Sequence, residues 1–297
     1  VSWAREMCIR DRCSSRDAAP KHDAPNPNSS VKKVIGVVSG KGGVGKSMTS
    51  ALLACAMARR GYHCGILDAD ITGPSIPRLF GVKGPATGDG ESINPVSSRT
   101  GVEIMSINLL LDDPEAPVVW RGPVIAGAVK QFWQEVIWDD VDFLFVDMPP
   151  GTGDIQLSLS QEVPLTGAVV VTTPQDIALM DARKGLVMFE KVNVPILGII
   201  ENMATHICSK CGHEEHIFGE GGAAKMAEQY GVELLGELPL DINIRLSMDK
   251  GEPIVISEPD SKVAQAYRDI ARKLAIAVSK KNKDYSAKMP SIKVSDT

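Results

Sequence analysis

The sequence predicts an α/β fold, a mostly parallel, doubly wound sheet flanked by helices in a single domain. Two observations lead there. Apolar runs of strand length alternate along the chain with longer helical patterns, and the runs are continuously apolar rather than alternating, as expected when helices cover both faces of a sheet. The length of 297 residues, with 43% hydrophobic and 23% charged residues, fits one large domain of an ordinary globular chain.

The first strand is read in VIGVVS (34–39), followed by the helical pattern MTSALLACAMARRG (48–61). GILDAD (65–70) and VEIMSI (102–107) are the next two strands, and a helix is expected through VIAGAVKQFWQEV (124–136). FLFVD (143–147) and GAVVVTT (167–173) continue the series, the latter followed by the helix DIALMDARKGLVMFEKV (176–192). PILGIIE (195–201), the helix within GGAAKMAEQYG (221–231), the strand VELLGELP (232–239) and a last helix over VAQAYRDIARKLAIAVSK (263–280) complete it. The domain is therefore placed at 31–280, with no internal repeat.

Outside it, residues 1–30 are expected to be a disordered or non-native segment ending in a linker, since AAPKHDAPNPNSS (18–30) has almost no apolar content to repay its ordering entropy. The first dozen residues look like translated adapter sequence, so Cys8 and Cys13 are expected to carry no function. Residues 281–297 read as a polar tail.

Composition also excludes some functions. A formal net charge of −5 argues against general nucleic-acid binding, which needs clustered Lys and Arg to neutralise phosphates. No run approaches the ~18 apolar residues of a membrane span, so no membrane partner is expected. Six scattered cysteines do not form the disulfide framework of a small secreted domain, and a cytoplasmic setting fits them better. Cys55 and Cys64 lie in apolar patterns and read as packing residues.

The chemistry is concentrated in three places. The first is GKGGVGKS, spanning Gly40 to Ser47, which sits between an apolar strand and a helix. Gly42, Gly43 and Gly45 let backbone N–H groups approach an anion, the helix adds its positive end, Lys46 reaches the β and γ phosphates, and Ser47 ligates Mg²⁺. That is the signature of a P-loop NTPase. The second place is acidic. Asp147 ends a strand facing the crevice and can hold Mg²⁺ through water, and Asp70 can orient an attacking water, with Asp68 two residues before it on the same face a further candidate. PPGTGD (149–154) reads as a switch segment responsive to the γ-phosphate.

The third place is CSKCGHEEHIFG (208–219). Cys208 and Cys211 are spaced for one metal centre but supply only two ligands. Three arrangements remain open from the residues alone: a zinc site completed by His213 and His216, a cluster shared with a second copy across a two-fold axis, or a redox dithiol.

GKGGVGKS, LDADITGPSIP, WRGP, VDMPPGTGD, TPQDIALMDARKG, LGIIENM, the Cys-x-x-Cys-Gly turn, IFGEGGA and GELPLD occur in this order. Together, over about residues 32–256, they resemble the Mrp/ApbC family of iron–sulfur cluster carrier ATPases, of the deviant P-loop class that includes septum-site and partition ATPases. The resemblance implies an ATP-binding site at Gly40, Lys41, Gly42, Gly43, Val44, Gly45, Lys46, Ser47 and Met48, with Asn202 contacting adenine. It implies catalytic roles for Lys41, Lys46 and Asp70, with Lys41 reaching a partner subunit's nucleotide, and Mg²⁺ at Ser47 and Asp147. Cys208 and Cys211 would bridge a [4Fe-4S] cluster in a homodimer that delivers it to apo iron–sulfur proteins with slow ATP hydrolysis. A positioning ATPase of the MinD/ParA kind and a zinc-stabilised nucleotide switch are the alternatives.

Three residues depart from the family pattern. Met48 replaces a usual threonine and removes a hydroxyl near the α-phosphate, Ser209 replaces a proline between the cysteines, and Thr72 replaces a tyrosine beside Asp70. The small N-terminal domain of many members is not in this sequence, and the Pro-rich stretch before Val31 reads as the remnant of its junction.

Overall fold

Strands buried on both faces belong in the middle of a layered molecule, and β1 (Val31–Val38) is one of these. A computed structural model describes residues 24–111, 113, 122–208 and 210–280. After β1 come α1 (Lys46–Ala58), β2 (Cys64–Asp68), the single turn α2 (Ile76–Leu79), and the short strands β3 (Thr87–Gly88), β4 (Ile93–Asn94) and β5 (Val96–Ser97). They are followed by β6 (Glu103–Met105), α3 (Gly122–Glu135), β7 (Val141–Asp147), α4 (Asp154–Glu162), β8 (Gly167–Thr172) and α5 (Asp176–Lys191). The chain continues through β9 (Ile196–Ile207), β10 (Glu214–Glu215), α6 (Gly222–Tyr230), β11 (Leu234–Leu240), α7 (Ile242–Asp249), α8 (Ile254–Ser257) and α9 (Lys262–Ser279).

Among the described residues these strands build one nine-stranded sheet, with β3 and β4 forming a separate hairpin. The order β9-β8-β1-β7-β2-β6 is parallel throughout, β11 adds a further parallel neighbour to β9, and β5 closes the far edge antiparallel. Alternate side chains of each central strand enter different cores. Ile35, Val37, Phe143, Phe145, Val169 and Val171 pack with α1 and α9, while Val34, Val38, Leu144, Val146, Ala168 and Val170 pack with α3, α4 and α5. Each fully buried Val or Leu is worth roughly 1.5–3 kcal/mol, so the two cores together fix the register of β1 between β7 and β8. That register sets Val37 level with Asp147, and Asp147 level with Asp68.

The fold class and the strand series stand as read. One boundary moves. Residues 26–30, expected to belong to the linker, are seated on the domain: Asn26 Nδ2 donates to the Glu135 carbonyl at 3.2 Å, and Ser29 Oγ donates to the Val136 carbonyl at 3.0 Å and accepts from Trp138 N–H at 2.9 Å. Asn26 and Ser29 are buried. Their polarity, which suggested a linker, instead satisfies backbone groups left open where α3 ends. WRGP begins, and the 281–297 tail lies, outside the described residues.

Candidate functional site

The loop between β1 and α1 takes its shape from glycine. Gly45, at φ +82°, caps α1 in the left-handed region, and a Cβ there would collide with the Asn202 side chain. Asn202 Nδ2 donates to the Val44 carbonyl at 2.9 Å, so β9 holds the loop from its open side. The first turn of α1 has backbone N–H groups without intrahelical partners, and these point toward the loop. A cleft of about 290 Å³ opens there, lined by Lys41, Gly42, Gly43, Lys46, Ser47 and Met48 among others, with Asp70 and Pro150 on its opposite wall.

Beneath the cleft lies a charged cluster. Lys46 Nζ is 2.8 Å from Asp147 Oδ2, the pair being 6% and 0% exposed. Ser47 Oγ donates to the same oxygen at 2.5 Å, and Ser50 Oγ donates to Asp147 Oδ1 at 2.7 Å. Asp68, also fully buried, accepts from the backbone N–H groups of Ser75 and Ile76 at 3.1 and 3.2 Å, and from Ser106 Oγ at 3.2 Å. It thereby secures the start of α2, the turn that follows Asp70. Burial, and next the charge of Asp147, push the Asp68 carboxyl above its ordinary range against the Ile76 N–H and Lys46. Burial likewise raises Asp70, with Lys46 opposing. At the floor of the cleft Ser47 Oγ and Asp147 Oδ2 are paired hard oxygen donors of the kind that can hold Mg²⁺.

PPGTGD (149–154), expected to act as a switch, is tied to the loop. Gly151 N–H donates to the Ser39 carbonyl at 3.0 Å, and Gln156 Nε2 to the Pro149 carbonyl at 2.5 Å. Thr72, one of the departures from the family pattern, donates its hydroxyl to Asp70 Oδ1 at 3.2 Å. Lys41 lines the cleft and has no ion-pair partner among the described residues.

The cysteines follow the C-terminal end of β9, the strand that also carries Asn202. β9 overruns its neighbour β8, whose last partner is Glu201, and pairs antiparallel with β10 while β11 stays on its other side. Cys208 and Cys211 occupy the turn between β9 and β10. Cys208 N–H donates to the His213 carbonyl at 2.9 Å, Gly212 N–H to the Cys208 carbonyl at 2.8 Å, and Gly212 sits at φ +71°, where a side chain would be strained. The N–H groups of Cys211 and then Lys210, with the Cys211 thiol, lower the Cys208 thiol and favour the thiolate, the form that binds metal. Cys208 is half-buried and Cys211 exposed.

The histidines do not complete this pair. His216 Nδ1 is engaged at 2.9 Å with the Ala204 carbonyl, and no group of three or more His, Cys, Asp or Glu side chains among the described residues converges on a metal position. Cys55 and Cys64 are buried in the core as expected, Cys55 with its thiol pushed up to about 12 by burial.

Residues 30–275 match the ParA family, described as NUBPL iron-transfer P-loop NTPase. The chain belongs to that family. Among its relatives within this NTPase family, the iron-sulfur cluster carrier protein of Escherichia coli K12 is 57% identical over 247 residues, 82% of this chain and 66% of that protein. The chain therefore spans just under two thirds of that relative's length. The mouse iron-sulfur cluster transfer protein NUBPL is 48% identical over 82% of this chain and 77% of its own. A solved nucleotide-binding protein of Archaeoglobus fulgidus, in complex with ADP, superposes with a TM-score of 0.69 at 39% identity, covering 80% of this chain and 92% of that one. The cell division ATPase MinD of Pyrococcus furiosus, at 24% identity and a TM-score of 0.63 over 82% and 99%, shares the fold. No helix among the described residues is long and apolar enough to cross a membrane.

The reading of the loop as a P-loop thus stands with the family. Sequence reasoning passed over Ser50 and Glu201, the latter with a buried carboxylate that accepts the Ala223 N–H at 2.7 Å at the start of α6. Ser50 alone had a visible signal, since it falls one helical turn after Lys46.

Proposed function

We propose that this chain is an ATP-dependent carrier of iron–sulfur clusters in the cytoplasm. Two copies bind one [4Fe-4S] cluster through Cys208 and Cys211 of each, hydrolyse ATP slowly, and hand the cluster to apo iron–sulfur proteins. One observation carries this reading: a Cys-x-x-Cys turn supplying two accessible sulfur ligands at the end of the same strand whose Asn202 braces a P-loop. The relatives' names, iron-sulfur cluster carrier and transfer proteins, support it.

In this mechanism the backbone N–H groups of residues 42–47 receive the phosphates, and Lys46 neutralises charge on the β and γ groups. Ser47 and Asp147 would hold Mg²⁺, which supplies charge neutralisation between the β- and γ-phosphate oxygens. Asp70, steadied by Thr72, orients a water whose oxygen bonds to the γ-phosphorus as the bond to the β-phosphate oxygen breaks, giving ADP and phosphate. Lys41, with no ion-pair partner among the described residues, reaches the nucleotide of the second copy. Asn202 contacts the adenine while bracing Val44. Met48 offers the α-phosphate its backbone N–H but no hydroxyl, so nucleotide binding is weaker than with threonine there.

Anaerobic reconstitution with ferrous iron and sulfide tests the cargo. The expected product is a brown dimer with one cluster per two chains, and Cys208→Ala or Cys211→Ala should abolish uptake. A variant that takes up as much iron and sulfide as the parent, or a monomer holding a complete cluster, would sink the proposal.

A further inference from the structure

Asp147 has two carboxylate oxygens in two different environments. Oδ2 meets Lys46 Nζ at 2.8 Å and Ser47 Oγ at 2.5 Å, both of which line the cleft. Oδ1 accepts the Ser50 hydroxyl at 2.7 Å. Ser50 is fully buried and is not part of the cleft wall. A serine inside a helix ordinarily donates back to the carbonyl four residues earlier, and the Lys46 carbonyl is indeed 3.1 Å from Ser50 Oγ. A hydroxyl has one hydrogen, however, and the two acceptors are not equivalent. The Lys46 carbonyl already receives the helix's own backbone donor, whereas Oδ1 is charged, closer and sealed from water, so the hydrogen goes to Asp147.

From this geometry we infer that Ser50 is a positioning residue for the nucleotide reaction: its hydroxyl fixes the Asp147 carboxylate so that Oδ2 stays beside Ser47, where the divalent cation binds. The terminal torsion of an aspartate is broad and roughly two-fold, and nothing intrinsic holds it. Lys46 and Ser47 both pull on one oxygen. Ser50 supplies the opposing restraint, from a helix face one turn below the loop. The inference rests on the nucleotide half of the proposed function and is independent of the cluster half.

The test compares Ser50→Ala and Ser50→Thr with the parent chain, using Mn²⁺ as a paramagnetic substitute for Mg²⁺. Binding of Mn²⁺ to the ADP complex is followed by electron paramagnetic resonance, binding of ADP without metal by calorimetry, and the Mg²⁺ requirement of hydrolysis by phosphate release. Loss of a group that orients a metal ligand typically costs about 10- to 100-fold in metal affinity, so Ser50→Ala should weaken Mn²⁺ by at least about tenfold and raise the Mg²⁺ requirement similarly. Metal-free ADP binding should stay within about twofold, because Ser50 is not among the residues lining the cleft. Ser50→Thr, which keeps the hydroxyl, should restore Mn²⁺ binding. Alanine is the better helix former, so Ser50→Ala is expected to fold, and a thermal melt checks both variants. A folded Ser50→Ala protein with parental Mn²⁺ affinity would make Ser50 a packing residue and overturn the inference, as would a folded Ser50→Thr protein as impaired as the alanine variant. A parent chain that binds no ADP would overturn the nucleotide reading itself, and the inference with it.

Discussion

Lys46 and Asp147 form an ion pair almost without solvent, and such pairs have an asymmetric energetics. The pair as a whole contributes little, because desolvation offsets most of the attraction, but removing one partner strands the other. Asp147→Ala should therefore destabilise the nucleotide-free protein by about 3–5 kcal/mol, read from chemical denaturation, in addition to any loss of metal binding. A loss below ~1 kcal/mol would mean that Lys46 simply swings out to water. At this scale the sequence was informative where residues are close together in the chain. Gly40 to Ser47 could be read directly because a phosphate cradle is local. The Ser50 bond to Asp147 could not, since it spans 97 positions and exists only because β1 and β7 pair in one particular register.

Among elements, β6 carries an ionisable group in an unfavourable place. Burial, and next the charge of Asp139, push the Glu103 carboxyl up from 4.5 to about 7, with His63 opposing, and its Oε2 has no hydrogen-bond partner among the described residues. Because the folded value lies above the unfolded one, the native state binds the proton more tightly. Stability from this group is full below pH 4.5, is lost as pH rises toward 7, and stays lost above it. Glu103→Gln should then melt higher than the parent at pH 8 but show little gain at pH 4.5, the difference growing across that window. A gain independent of pH would contradict the assignment. The strand β9 shows why element boundaries were harder to read than element types. Its apolar run stops at Ile200, and Asn202, Thr205 and His206 look like a loop. Pairing with β11, and beyond it β10, extends the strand to Ile207, even though Met203 sits at φ +58° and the register slips there. Partners decide a polar strand, and no local pattern encodes them. The two-residue strands β3, β4, β5 and β10 were not read for the same reason.

At the scale of the whole molecule, the fold class and the two cores follow from continuous apolar runs, which left the strand order open but were themselves visible. The start of the domain was not, because Asn26 and Ser29 have the composition of a linker and the contacts of a cap. A chain beginning at Val31 should lose ~2–4 kcal/mol relative to the full chain, measured as a shift in denaturant midpoint at unchanged slope. That is the cost of leaving the Val136 carbonyl, the Trp138 N–H and the Glu135 carbonyl without partners. The Cys-x-x-Cys turn has a consequence at this scale as well. Each chain presents two sulfur ligands, so on the proposed reading a loaded carrier is a product of mass action, and the amount of cluster held rises with the square of the free chain concentration while free chains predominate. Dilution alone would then release cargo, and a cell would set its loading partly by how much of this chain it makes.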